Sequence, residues 1–229
     1  MQKSDIRRER EERRRQEYRR LILQAAERVV VEKGTSAMTM DDVAREAAFS
    51  KATLYHYFRG KGELVFEVLE NFFEEMNQEL ARIKTLKIGA ADKLKRGIRF
   101  YLQSNQEKRN ISRMLMMDRS FVEKMRILVV NEKDSVSKKD RQFIDRLKAK
   151  RREILDGVAD ILREGMASGE FRRVDVENAV TFLEAILWGY CQIRFWRDKT
   201  YSVRDATNFI HALMLEGFKG KDEIGKGDR

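Results

Sequence analysis

The side chains best suited to chemistry lie together at residues 50–58, which read SKATLYHYF. In a helix, Leu54 and Phe58 lie four residues apart and share the face that turns toward the core. The other side chains then point outward or sideways: Lys51, Ala52, Thr53, Tyr55, His56 and Tyr57. Tyrosine and histidine can donate to phosphate oxygens, threonine can contact a base edge or a thymine methyl, and lysine can reach guanine or phosphate. The outward face is therefore suited to DNA.

Two flanking residues extend this chemistry. Ser50 is a good N-cap and predicts the start of the helix. Lys61 opens the next helix, where its ammonium group and the free backbone N–H groups together form an anion site. We expect Lys61 to bind a DNA phosphate.

Local signals predict the helices that position these residues. An apolar stripe with helical spacing follows Tyr18, and Gly34 is expected to end it. Thr39 and Asp42 have the spacing of a capping box, which predicts the start of a second, short helix. The helix at residues 50–58 comes next, followed by a long amphipathic helix. Two short helices joined by a tight turn are typical of a helix-turn-helix.

At this point the sequence resembles a known family. Residues 39–44 (TMDDVA), 50–58 (SKATLYHYF) and 61–64 (KGEL) are similar, in order and spacing, to the DNA-binding domain of the TetR family of bacterial transcription regulators. The resemblance covers residues 18–73 and implies a role in DNA contact for the matching positions. The predicted DNA-binding residues are Thr39, Ser50, Lys51, Ala52, Thr53, Tyr55, His56, Tyr57 and Lys61.

Two positions depart from the family pattern. Ala48 and Phe49 occupy a turn in which the family often has glycine followed by a small aliphatic residue, so we expect a slightly altered turn. Gly62 stands where an acidic residue is common, which should weaken the start of the following helix. Neither departure affects an expected DNA contact.

The composition of the whole chain of 229 residues agrees with an all-α protein. It has no proline, only 13 glycines and no segment with the period of a strand. The net charge of +10 indicates a polyanionic partner. A single cysteine excludes an intramolecular disulfide, and there is neither a membrane-spanning apolar run nor a signal peptide. We therefore expect a cytoplasmic protein without a membrane partner.

The C-terminal part is predicted to dimerise. Residues 175–196 are apolar on several sides, and residues 202–217 carry a second apolar stripe. Two such helices from each subunit would form a four-helix bundle, which is the interface that TetR-like proteins use. The predicted interface residues are Leu183, Leu187, Tyr190, Phe209 and Leu213.

The family resemblance also implies a small hydrophobic effector that moves the DNA-binding domains apart. Methionine is an adaptable lining for such a ligand, although ordinary core packing explains the same residues equally well. The predicted pocket residues are Met114, Met117, Phe121, Met125, Phe182 and Trp188. The expected organisation is an N-terminal extension at residues 1–17, a helix-turn-helix domain at 18–63, a helical effector-binding and dimerisation domain at 64–218, and a tail at 219–229.

Other interpretations compete with these. Tyr55 and Tyr57 could be partly buried in the three-helix core. The basic N-terminal extension fits a solvated helix better than an arm in the minor groove. No metal site or cofactor is expected, because His56 and His211 lack partners at ligand spacing. A basic architectural protein without sequence preference is a second hypothesis, and an enzyme is disfavoured because catalytic motifs are absent.

Overall fold

A computed structural model describes residues 3–111, 138–194 and 201–219. Within these ranges the regular structure is α-helical, which confirms the all-α prediction. The described helices are α1 (Lys3–Ala37), α2 (Met40–Glu46), α3 (Lys51–Tyr57), α4 (Lys61–Lys84), α5 (Ala90–Glu107), α6 (Lys138–Ser168), α7 (Val176–Ile193) and α8 (Val203–Lys219). None of them is long and apolar enough to cross a membrane.

The chain divides into two compact units. The first contains α1, α2, α3, the first half of α4 and the start of α6, and the second contains the rest of α4, most of α6, and α5, α7 and α8.

The first unit has a core built from the apolar faces that the sequence predicts. Gly34 has φ 79° and ψ 162°, so it interrupts helical geometry within α1 as expected. The stripe that precedes it is buried, and it packs with the inner faces of α2, α3 and α4. The buried residues of these helices include Ile22, Ala25, Ala26, Val29, Val30, Val43, Ala44, Leu54, Phe58, Leu64 and Leu69.

The second unit centres on α5, against which both α7 and α8 pack. The Glu170 carboxylate accepts hydrogen bonds from the backbone N–H groups of Ala90 and Ala91 at 3.0 Å each, so it caps the start of α5. A Cβ on Gly165 would lie 2.2 Å from the Phe171 ring. Glycine is therefore required at this close approach.

Candidate nucleic-acid interface

The helix-turn-helix begins with the predicted capping box. The Thr39 hydroxyl accepts a hydrogen bond from the Asp42 N–H at 3.1 Å, and the Thr39 N–H donates to the Asp42 carboxylate at 3.0 Å. Hydrogen bonds from Lys33 and Thr39 hold the pKa of Asp42 well below its usual value. The charged Asp42 therefore fixes the N-terminus of α2.

The turn between α2 and α3 is made without glycine. Ala48 has φ 56°, in the left-handed region that L-residues avoid. This conformation lets the Phe49 N–H donate to the Ala44 carbonyl at 2.9 Å, which closes the end of α2. The sequence predicted a change in the turn at this position. The structure instead places the backbone strain on Ala48 itself.

The orientation of α3 is set by its N-cap, by the buried Leu54 and by the buried Phe58, which directly follows the helix. The Ser50 hydroxyl oxygen accepts a hydrogen bond from the Thr53 N–H at 3.0 Å, which confirms Ser50 as the N-cap. Leu54 and Phe58 are fully buried, as predicted. The exposed residues of the helix are Lys51, Ala52, Tyr55 and His56, and Thr53 and Tyr57 are half-buried.

The exposure of the two tyrosines separates the alternatives that the sequence left open. Tyr55 is 47% exposed, so it points into solvent. Tyr57 is half-buried, and its ring centroid lies 6.3 Å from that of Tyr18 and 5.2 Å from that of His56. Partial burial therefore applies to Tyr57 and not to Tyr55.

Both lysines of the predicted interface have partners within the chain. The Lys51 ammonium lies 2.9 Å from the Asp41 carboxylate, and this hydrogen-bonded partner raises the pKa of Lys51. The Lys61 ammonium donates to the Ser36 carbonyl at 3.0 Å. These are surface contacts, which cost little to exchange for a phosphate.

Sequence reasoning missed one residue that supports α3. The Arg19 guanidinium donates to the Tyr57 carbonyl at 3.0 Å, forms an ion pair with Glu67 and lies 4.4 Å from the centroid of the Phe58 ring. It therefore binds the C-terminal end of α3 to α1 and α4. The partners are distant in the sequence, so no local pattern could have revealed this contact.

The predicted dimer and pocket residues fall into three groups, which are undescribed, buried or half-buried, and exposed. Met114, Met117, Phe121 and Met125 lie outside the described residues. Leu183 and Leu187 are buried in the second unit, and Tyr190 is half-buried. Four apolar side chains are exposed: Phe182 (66%), Trp188 (50%), Phe209 (71%) and Leu213 (47%). Phe182 and Trp188 thus lie on the surface of the described chain.

Two polar groups lie between helices of the second unit, the buried Cys191 and the half-buried Tyr101. Burial raises the pKa of the Cys191 thiol to about 11, and it raises the pKa of Tyr101 as well. Cys191 is the single cysteine of the chain, and the structure buries its thiol. Within the ranges that the structure describes, no three His, Cys, Asp or Glu residues are placed to hold a metal ion.

Two family models match the chain. The model described as "Bacterial regulatory proteins, tetR family" matches residues 22–68, and the model described as "QacR-like protein, C-terminal region" matches residues 103–218. The first match contains α2, α3 and the start of α4. The second includes α6 and α7 and most of α8.

Known proteins are similar over most of the chain. The HTH-type transcriptional repressor KstR2 of Mycolicibacterium smegmatis is 25% identical over 169 residues, which are 73% of this chain and 74% of that protein. The structure of the transcriptional regulator FadR of Bacillus subtilis, in complex with stearoyl-CoA, has a TM-score of 0.64 and 20% identity, and the match covers 86% of this chain and 98% of that one. The structure of the fatty acid degradation regulator FadR of Bacillus halodurans has a TM-score of 0.66 and 15% identity, and the match covers 89% of this chain and 97% of that one. The matched proteins are regulators and not enzymes, in agreement with the sequence analysis.

Proposed function

The chain belongs to the TetR family of bacterial transcriptional regulators, and from that premise we propose that it is a ligand-responsive repressor. It binds a palindromic operator as a homodimer and leaves the operator when a small apolar effector binds. Residues 18–63 read DNA, and residues 64–218 bind the effector and dimerise. Such a regulator acts in the compartment that contains the DNA, which is the cytoplasm.

The observation that carries the DNA-binding role is the geometry of α3. Its buried Leu54 and Phe58 anchor one face, and its opposite face presents Lys51, Tyr55 and His56 to solvent. A recognition helix needs this combination, because base contacts require rigid placement of side chains in the major groove. Ser50, Ala52 and Thr53 share the N-terminal turn of α3 and complete the surface proposed to face bases.

The remaining DNA-binding residues flank α3. Thr39 and Lys61 each begin or precede a helix, where backbone N–H groups favour a phosphate. Tyr57 is half-buried, so it can offer only its exposed part to the DNA backbone. Lys51 exchanges Asp41 for DNA on binding, and Asp41 holds it in place until then.

Exposed apolar side chains support the homodimer. Phe209 and Leu213 lie four residues apart on α8 and are both exposed, and α7 presents Phe182 and Trp188. An isolated subunit would leave these large apolar groups in water, and a second copy would bury them. We therefore assign Phe182 and Trp188 to the subunit interface. Leu183 and Leu187 support the same helix from within the subunit.

The effector that we propose is an amphiphile with a long acyl chain, of the acyl-CoA class. The B. subtilis FadR structure contains stearoyl-CoA, and the fold of that chain is similar over most of its length. Polar groups at Tyr101 and Cys191 lie between helices of the second unit, beside its apolar core. From the sequence alone, Met114, Met117, Phe121 and Met125 remain proposed effector contacts.

The test begins with a duplex selected by the protein from random sequences. Fluorescence anisotropy compares this duplex with a scrambled one of the same composition, and a repressor should bind the selected duplex at least about a thousandfold more tightly. Equal, strongly salt-dependent binding to both would instead favour an architectural protein. Stearoyl-CoA should then release the selected duplex, and coenzyme A alone should not. By linkage, the duplex should weaken binding of stearoyl-CoA by the same factor.

A further inference from the structure

Helix α1 extends far beyond the core of the first unit. It begins at Lys3, whereas Ile22 is the first buried residue among the side chains that the structure describes, from residue 7 on. Residues 7–18 are exposed. At 1.5 Å per residue, the arm formed by residues 3–17 extends for roughly 22 Å.

The base of this arm is fixed beside α3. The Tyr18 ring centroid lies 5.0 Å from that of Phe49, which precedes α3, and 6.3 Å from that of Tyr57 at its end. The Arg19 guanidinium donates to the Tyr57 carbonyl at 3.0 Å. The direction of the arm is therefore coupled to the helix that we propose reads the bases.

Apart from Arg19, the arginines at residues 7–20 fall into two groups. Arg7, Arg13 and Arg20 each form an ion pair with a glutamate on the same helix, at 3.2, 2.6 and 2.6 Å. Among the described residues, no acid pairs with the second group, which consists of Arg8, Arg10, Arg14 and Arg15. Arg10 and Arg14 are four residues apart, where like charges on a helix repel each other.

The paired and unpaired arginines near Tyr18 also lie on different sides of α1. Arg14 and Arg15 lie four and three residues before Tyr18, so they share the side of α1 that contacts the α3 region. Arg13 and Arg20 lie on the opposite side. The unpaired charges closest to the core therefore point along the surface that contains α3.

We propose that this arm is a DNA-binding element in which Arg14 and Arg15 bind backbone phosphates next to the site that α3 reads. The inference rests on the proposed DNA-binding function. A guanidinium group matches the geometry of a phosphate with two hydrogen bonds, and a phosphate also relieves the repulsion within the arginine group. The segment at residues 7–17 has no large apolar side chain, so it lacks the apolar face that a membrane-binding helix requires.

The test compares two double variants of the full-length chain. R14Q/R15Q removes two unpaired charges on the α3 side, and R13Q/R20Q removes two paired charges on the opposite side. Both change the net charge equally, and glutamine is a good helix former, so circular dichroism should show unchanged helicity. The measurement is the salt dependence of affinity for a scrambled duplex of about three helical turns.

Each lost phosphate contact lowers the slope of log affinity against log salt by about 0.9. R14Q/R15Q in both subunits should therefore lower the slope by as much as about 3.6, and weaken binding at least about tenfold at low salt. R13Q/R20Q should lower the slope by less than about 1. Equal slopes for the two variants would show that only net charge matters, and would overturn the proposal. The proposed repressor function fails on a different result, which is equal binding of selected and scrambled duplexes by the unaltered protein.

Discussion

Replacing Ala48 with glycine is expected to stabilise the first unit by about 0.5–1 kcal/mol. Ala48 has φ 56°, and a left-handed conformation costs an L-residue about 1–2 kcal/mol. Glycine removes this cost. It also makes the unfolded chain more flexible, which lowers the free energy of unfolding by about 0.4–1 kcal/mol. The methyl group is exposed, so its loss removes little buried surface. The net effect is a small increase in the free energy of unfolding.

The neighbouring residue provides a matched control. Ala47 has φ −79° and ψ −7°, which any L-residue adopts without strain. Ala47→Gly makes the same chemical change one residue earlier and should destabilise the protein by about 0.5–1 kcal/mol. The two variants should therefore move the stability in opposite directions.

Urea unfolding of the full chain, followed by circular dichroism at constant subunit concentration, measures both effects. We expect the transition midpoint to rise for Ala48→Gly and to fall for Ala47→Gly, with unchanged slopes. Because glycine adopts the left-handed conformation of Ala48 without changing the turn, operator affinity should stay the same. A midpoint for Ala48→Gly at or below that of Ala47→Gly would refute the assignment of strain to Ala48.

Four other substitutions, one of them with a matched control, test separate parts of the molecule. Phe209→Asp should convert the dimer to a monomer in sedimentation experiments, whereas Asn208→Asp on the same helix should leave it dimeric. Lys61→Ala should weaken binding to every duplex and lower the salt slope by about 1 per lost phosphate contact, whereas Thr53→Ala should relax the preference at a single base position. Glu170→Gln should lower the stability at pH 7 by up to about 1 kcal/mol, because backbone N–H groups at the start of α5 hold the pKa of Glu170 below 4.5. That contribution is present above the unfolded pKa of 4.5 and is lost as the pH falls through the folded value, so the variant and the unaltered protein should converge in acid.

The sequence could predict the features that depend on local signals. The capping box at Thr39 and the N-cap at Ser50 involve partners three residues away. The apolar spacing of Leu54 and Phe58 identified the buried face of α3 correctly. The apolar stripe at residues 202–217 corresponds to α8 (Val203–Lys219), so the ends differ by only one and two residues.

Contacts between distant residues could not be predicted in the same way. Glu170 caps α5 from 80 residues away, and Tyr18 reduces the exposure of Tyr57 from 39 residues away. Periodicity showed that residues 175–196 are apolar on several sides, but it could not show which side the chain itself covers. Leu183 faces inward, whereas its neighbour Phe182 is 66% exposed. The left-handed turn was missed because Ala48 lacks the usual signal, which is glycine.

The helical state of the arm bears on how it can contribute to binding. A disordered basic tail loses roughly 1–2 kcal/mol of backbone entropy for each residue that DNA orders. The helical arm has already lost this entropy on folding, because local ion pairs such as Arg13–Glu9 support it and Tyr18 anchors its base. Its phosphate contacts can therefore contribute almost fully to affinity. R13Q/R20Q keeps Arg14 and Arg15, so it should also keep its affinity as long as circular dichroism shows unchanged helicity. Added trifluoroethanol, which induces helix, should not restore the affinity of R14Q/R15Q, because that variant lacks the phosphate contacts and not the helix.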